Sequence, residues 1–382
     1  MNWAYRFMCA TPGVEQWVAA PWKIHNGYEN AFRFFPHPLQ TGLNFFPDNE
    51  WAHARFAGVL LRLEKYGPLY RHWLEKKLKR ERPDVLHAHF GPVGCHYAAM
   101  AQRLDIPLMV SFYGYDFKRT LFQKPVLREK YRRLFEVAAR LTATGTNSAE
   151  WLVQLGAAPE KIISLPLGVS TDDFAFHHRH KIPGQLRLLQ VATFTDKKGH
   201  LDTLAAFQLA LQNCPNLQLT LAGERQDRAL FSAIKTFIRS HRLEQKVRLL
   251  DFIPHARLPV LMREADLFIH PSRTSALQDV EGSPVVIAEA QATGLPVIST
   301  RHADIPMLVL HEKTGLLAPE RSPEILAGYI KHFYQMDHSA YQSCAQAARR
   351  QITEHFSVEK TGERLLACYQ SMVTNIPKKK AV

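Results

Sequence analysis

The chain is short of acidic residues. Asp and Glu number 35 against 48 Lys and Arg, leaving a formal charge of +13 at pH 7 and a pI near 9.5. That deficit implies an anionic partner: nucleic acid, a membrane surface or a phosphorylated ligand. Cysteine is scarce as well. Cys9, Cys95, Cys214, Cys344 and Cys368 stand apart with no CxxC pair. This excludes a disulfide framework or a thiolate zinc site and is the usage of a reducing cytoplasm; the five are expected as small core residues. No apolar run approaches the roughly 18 residues of a membrane-spanning helix. The opening MNWAYRFMCATPGVEQW lacks the basic lead and apolar stretch of a signal peptide. No GxGxxG follows an early strand, which argues against a dehydrogenase. The composition of a disordered chain is also missing: 46% of the 382 residues are hydrophobic and 22% charged. At about 150 residues per domain, this length suggests two or three domains.

What is present is alternation. Short apolar runs at Asp84–Phe90, Pro107–Phe112, Leu141–Thr146 and Lys161–Leu165 read as buried strands, with helical patterns between them at Val93–Leu104 and Val126–Ala139. This is the pattern of a parallel sheet with crossover helices. The segment Asp172–Gln185 interrupts it with DDFAFHHRHKIPGQ, polar and His-rich, and reads as a solvated interdomain linker. The alternation then restarts. Strands are expected at Leu186–Thr193, Leu217–Ala222, Val247–Leu250, Asp266–His270 and Pro296–Ser299. Helices are expected at Leu201–Leu211, Asp227–His241 and Pro284–Thr293, and again through most of Pro323–Met372. Two doubly wound α/β domains, 1–172 and 184–358, therefore face each other across a cleft. The helix near 360–375 is expected to pack back on the first domain. Ligands of such sheets bind at the carboxyl ends of the strands, so the cleft is the default site.

The segment Asp279-Val-Glu-Gly-Ser-Pro-Val-Val-Ile-Ala-Glu-Ala-Gln-Ala-Thr-Gly294 carries the most chemistry. Ser283 is a good N-cap, Pro284 a good first helical residue and Gly294 a natural left-handed stop. The free amides at the amino end of that helix form an anion site suited to a diphosphate. Glu281 lies just before it. Glu289 lies about 7–8 Å along the axis from Pro284 at 1.5 Å per residue. If phosphates sit at the helix end, Glu289 is placed to take ribose hydroxyls and Glu281 faces the group beyond the distal phosphate; alternatively Glu289 faces solvent.

The Glu281-x7-Glu289 spacing resembles the motif of retaining glycosyltransferases, in particular glycosyltransferase family 4 with the two-domain GT-B fold. Val-Ala-Thr-Phe-Thr-Asp-Lys-Lys-Gly-His200, Leu-Thr-Leu-Ala-Gly-Glu224, Ala-Asp-Leu-Phe-Ile-His-Pro-Ser272, Gly-Leu-Pro-Val-Ile-Ser299 and Lys-Thr-Gly-Leu-Leu-Ala318 follow in the family's order. His-Ala-His-Phe-Gly-Pro92 and Leu-Pro-Leu-Gly-Val169 match its first half, especially the branch that builds bacterial exopolysaccharides such as colanic acid. The resemblance spans roughly residues 84–370.

The resemblance implies transfer of a hexose from a nucleotide-diphosphate sugar to a hydroxyl of a glycan or lipid-linked acceptor, without a metal or other cofactor. Lys198 is implied to hold the phosphates. Glu289 would hold the ribose, and Glu281 with Gly282, Ser283, Pro284 and Val285 would border the donor. The backbone of Phe252–Pro254 would border the base. Thr193 stands where the family often has Arg, so Arg225 or Arg273 is expected to supply the second cation. His89 is implied to touch donor sugar or acceptor, with Gly91, Tyr113 and Asp116 on the acceptor side. Tyr113 stands where many members carry His, so that His chemistry does not carry over.

The beginning departs from the family. Asn2–Cys9 reads as an amphipathic helix and Gln16–Ala20 as a strand, so the expectation is that the usual first strand and its Gly-rich loop are absent. Together with Tyr113 this motivates an alternative: a nucleotide-sugar-binding protein with little turnover. A nucleic-acid binder rests on charge alone and is set aside. Residues 1–170 hold 22 basic against 14 acidic side chains. The stretch 62–82 holds eight Lys or Arg against three Glu, with Tyr66, Tyr70 and Trp73 among them. It reads as a basic amphipathic helix at an anionic membrane surface, on the cytoplasmic side.

Overall fold

The computed structural model describes residues 68–114 and 116–374, with Thr11, residues 13–15, Trp17–Val18 and Arg33–Phe34 nearer the amino end. The expected helix at Asn2–Cys9 lies outside the described residues, as does 62–67 of the basic stretch. Of the strand expected at Gln16–Ala20, Trp17–Val18 (β1) is present, paired in parallel with Arg33–Phe34 (β2).

The first domain is built on four parallel strands in sequential order: β3 Leu86–His89, β4 Leu108–Ser111, β5 Arg140–Ala143 and β6 Ile162–Ser164. Helices α1 Pro68–Glu81, α2 Gly91–Leu104, α3 Arg119–Gln123, α4 Leu127–Val137 and α5 Thr146–Gln154 accompany them. Phe112, Tyr131, Leu134, Phe135 and Leu141 form the core between sheet and helices. Each such side chain contributes about 1.5–3 kcal/mol through burial.

The second domain carries six parallel strands. They are β7 Leu186–Val191, β8 Leu217–Ala222, β9 Val247–Leu250, β10 Leu267–His270, β11 Val297–Thr300 and β12 Gly315–Ala318. Their order is β12-β11-β10-β7-β8-β9. The chain winds outward from β7 one way and from β10 the other, so the switch point lies between β7 and β10. Helices α6 His200–Leu211, α7 Arg228–Ser240, α8 Leu258–Arg263, α9 Val285–Ala292 and α10 Ile305–Leu308 connect the strands. One face of the sheet is covered by α6 and α11 Pro323–Gln335, through Leu204, Phe207, Ile330 and Phe333. The other is covered by α9 with α12 His338–His355, through Ile287, Ala288, Ile352 and Phe356. Helix α13 Val358–Thr374 packs Leu365, Cys368 and Met372 against Met109 and Leu165 of the first domain.

Two expectations hold only in part. The linker is exposed over most of its length, as expected, but Arg179 and Lys181 within it are buried. Arg179 is 5% exposed and donates to the carbonyls of Met262, Ala265, His177 and Thr293; Lys181 is 2% exposed and donates to those of Ile182, Gln185 and Tyr334. Their charges are compatible with burial because carbonyl oxygens saturate the donors. His177, His178 and His180 face solvent, as do Asp172, Asp173, Ala175, Ile182, Pro183 and Gln185. Helix α1, for its part, does not offer an apolar face outward. Leu74 and Leu78 are buried with Met100, and Trp73 packs on that cluster. The charged side carries Lys77–Glu81, Lys79–Glu75 and Arg103–Glu75 ion pairs, with Lys76, Lys79 and Arg80 exposed. Among the described residues no helix is long and apolar enough to cross a membrane.

Candidate functional site

Most of the predicted donor residues converge at the carboxyl ends of β7 and β10. A 3-10 turn, Asp196–Lys198, follows β7 and ends at Gly199, the N-cap of α6. It presents Lys197 and Lys198 to the loop before α9. Lys198 Nζ lies 2.7 Å from Glu281 Oε1 in an ion pair. Lys197 Nζ lies 3.8 Å from the same oxygen and 3.2 Å from Asp279 Oδ1. Arg119 of the first domain reaches the other oxygen of Asp279 at 2.9 Å. Burial alone would raise the Glu281 carboxyl, but Lys198 and then Lys197 outweigh it and hold it down at about 2. Glu281 is therefore ionised at pH 7 and cannot act as a general acid.

Helix α9 begins one residue later than predicted. Pro284 occupies the cap position with ψ at 108°, and Ser283 does not bond to the helix end. The amino end of α9 has no side-chain cap, which leaves it open to an anion. The far end closes as read from sequence: Gly294 has φ +75°, Leu295 N donates to Ala290 O, and Gly294 N donates to Gln291 O, a Schellman arrangement. Glu289 does not face solvent. It is 5% exposed, and its Oε1 lies 2.7 Å from His255 Nε2. His255 follows Phe252–Pro254, so this carboxylate and the expected base-side backbone are neighbours.

The cations expected beside Lys198 are already engaged. Arg273 bonds Asp202 at 2.9 Å and also pairs with Asp196, which anchors the lysine turn from below. Arg225 pairs with Asp251 at 2.6 Å and lies 4.5 Å from the Phe231 ring centre, half exposed. The second cation beside Glu281 is Lys197, directly adjacent to Lys198. The doubled Lys in Asp-Lys-Lys-Gly199 was the available signal. Two histidines were also missed. His270, at the end of β10, is fully buried, and among the described residues neither ring nitrogen has a hydrogen-bond partner. Desolvation, then the Lys198 charge, pushes it down to about 3. His302 accepts the Glu281 amide at 3.0 Å.

In the first domain, His89 ends β3 and its Nδ1 lies 2.6 Å from the Tyr113 hydroxyl. Desolvation lowers it to about 4, so it is neutral at pH 7. It stacks on His87, whose ring bonds Ser111 Oγ and the Tyr369 hydroxyl of α13, each at 2.7 Å. Gly91 and Asp116, expected on the acceptor side, bond each other at the strand ends of this domain. The Asp116 carboxylate is buried and accepts the Gly91 and Tyr113 amides at 3.1 and 2.9 Å. Burial raises it to about 6. Gly91 is buried, and any Cβ there would collide with Phe112 and Tyr131. Both residues shape the strand ends. The two domains meet at the site: a Cβ on Gly114 would lie 2.8 Å from Gly282 N, and one on Gly282 would lie 2.6 Å from Thr144 Oγ1.

Two Rossmann-like domains, joined at the strand ends around a cationic turn and an open helix end, define the GT-B class of glycosyltransferases. The chain belongs to the glycosyl transferases group 1 family, whose model matches residues 172–351; the model of Glycosyltransferase Family 4 matches residues 35–173. It is 32% identical to a putative colanic acid biosynthesis glycosyltransferase of Salmonella typhimurium over 76% of this chain and 71% of that protein. It is 32% identical to an amylovoran biosynthesis glycosyltransferase of Erwinia amylovora over 66% of this chain and 61% of that one. Its fold is similar to a glycosyltransferase from Rickettsia africae, with a TM-score of 0.69 at 15% identity, covering 94% and 98% of the two chains. It is similar also to the Anabaena protein HepE in complex with UDP, with a TM-score of 0.66 at 19% identity, covering 78% and 82%.

Proposed function

We propose that this glycosyltransferase moves a hexose from a nucleotide-diphosphate sugar to a hydroxyl of a lipid-linked or glycan acceptor in bacterial surface-polysaccharide assembly, retaining the anomeric configuration and using no metal. The observation that carries the reading is the meeting of Lys197 and Lys198 with ionised Glu281 at the uncapped end of α9. In the reaction the bond from the anomeric carbon to the diphosphate breaks, a bond to the acceptor oxygen forms, and the acceptor proton passes to the leaving diphosphate. Negative charge builds on the leaving diphosphate. The two ammonium groups and the α9 amides are preorganised to stabilise it, in the role a metal ion takes elsewhere. Glu281 accepts hydrogen bonds from donor-sugar hydroxyls, with Gly282 and Ser283 bordering the sugar. Glu289, held by His255, accepts from the ribose. His89, neutral and fixed by Tyr113, meets the sugar or acceptor through its other nitrogen. The names of the Salmonella and Erwinia relatives support a surface polysaccharide as the product.

Nucleoside diphosphate release from a panel of nucleotide sugars, with and without acceptor, tests this reading. Lys198→Ala and Glu281→Ala should each reduce turnover by about 100-fold or more, and proton NMR of the product should show the donor's anomeric configuration. Unchanged turnover in both variants would refute the site. The exposed lysines and arginine of α1 are proposed to meet anionic lipid by charge alone. Binding to anionic vesicles that is lost at high salt supports this; equal binding to neutral vesicles refutes it.

A further inference from the structure

The turn between β11 and α10 touches two things at once. His302, 2% exposed, accepts the Glu281 amide at Nε2. An amide can only donate, so Nε2 carries no proton, and Nδ1–H donates to Glu320 Oε1 at 2.6 Å. Glu320 is itself fixed by the Thr274 amide at 2.9 Å. Two residues on, Asp304 is 1% exposed and reaches the other domain. Its Oδ1 accepts the Ser148 amide at 3.1 Å, and its Oδ2 accepts the hydroxyls of Thr144, at 3.0 Å, and Ser148.

Helix α5 has no capping side chain of its own, because its N-cap residue is Gly145. The opposite domain supplies the capping carboxylate. Gly145 makes room for it: its backbone is extended, with φ at −174°, so any residue suits the conformation, but a methyl there would collide with the Asp304 carboxyl. Thr144 extends the link, because the oxygen that bonds Asp304 also abuts Gly282.

We infer that the turn His302–Asp304 is a positioning element: it ties the seating of α5 against the second domain to the placement of Glu281. Asp304 and His302 act through Glu281 and are positioning residues. The link rests on these bonds alone; its consequence for turnover rests on the function proposed above. The test is amide hydrogen exchange on the full chain, followed at Ser148 and Glu281, with strand β7 as folding control. Gly145→Ala displaces the Asp304 carboxylate without removing a polar group. It should speed exchange at both amides at least tenfold and leave β7 protected. Asp304→Asn keeps an acceptor for the Ser148 amide and should restore part of the protection lost in Asp304→Ala. Faster exchange at Ser148 with Glu281 unchanged would reduce the turn to a local cap and overturn the inference. In the same variants, kcat should fall at least tenfold while UDP, used as the diphosphate probe, changes its Kd less than threefold. Coupled exchange with unchanged kcat would keep the link and overturn the active role of Glu281.

Discussion

Acidification should unfold the second domain before the first. His200 and His270 are 1% and 0% exposed, and burial followed by the Lys198 charge pushes both down to about 3. Only the Ala192 carbonyl favours protonation of His200. An unfolded chain takes up these protons near pH 6.5. Because the folded values are lower, stability is full above pH 6.5 and falls as pH drops toward 3. Between pH 6 and 4 each ring costs between about 2 and 3 kcal/mol, or about 5 kcal/mol together, at 1.4 kcal/mol per proton per pH unit. In the first domain the effects oppose. His89, lowered to about 4, costs about 2 kcal/mol over the same interval; Asp116, raised to about 6, becomes protonated first in the folded state and returns about 2 kcal/mol. His87, which burial and then the His89 charge push well below its ordinary value, adds a loss to the first domain as well. The larger loss, not the whole of it, therefore falls on the second domain and is a large part of a typical stability of about 5–15 kcal/mol. Urea unfolding at pH 6 and pH 4, followed by the fluorescence of the six tryptophans, which all precede the second domain, and by the far-UV signal of the whole chain, would separate the two transitions. His270→Leu should remove about half of the second domain's loss. The same loss in that variant as in the wild type would refute the reasoning.

Other perturbations have distinct signatures. Arg179→Met leaves the carbonyls of Met262, Ala265 and Thr293 without their donor and should cost about 3 kcal/mol or more, read as a lower Tm. Gly294→Ala forces a β-carbon into a left-handed turn and against the Phe176 ring, so a loss above about 2 kcal/mol is expected in urea unfolding. Glu289→Ala should weaken ribonucleoside diphosphates in calorimetry while leaving inorganic pyrophosphate unchanged; equal weakening of both would remove the ribose role.

Much of this was legible because the signals are local. Apolar runs of four to six residues located the strands of both sheets, and Pro284 with Gly294 bracketed α9 to within a residue. Strand β12 was missed as a strand because Gly-Leu-Leu-Ala318 is too short and too rich in helix formers to show a period. Within the exposed linker, Arg179 and Lys181 misled because they are polar in sequence, yet find carbonyl partners that include Met262, Ala265, Thr293 and Tyr334 from far along the chain. The same blindness hid Asp304, whose partners Thr144 and Ser148 come from the other domain. Lys198 and Glu281 were readable as a motif. Their pairing, the supporting part of Lys197 and the buried His270 beneath them belong to tertiary contact, which no spacing records.

The central claim is that a diphosphate binds where Lys197 and Lys198 meet the open end of α9. Titration calorimetry of nucleoside diphosphates against the matching nucleosides, in the wild type and in Lys198→Ala, tests it most directly. The account predicts that the preferred diphosphate binds the wild type at least tenfold more tightly than its nucleoside, about 1.4 kcal/mol or more, and that Lys198→Ala removes most of that difference. Equal affinity for diphosphate and nucleoside, or an undiminished preference in Lys198→Ala, would contradict it.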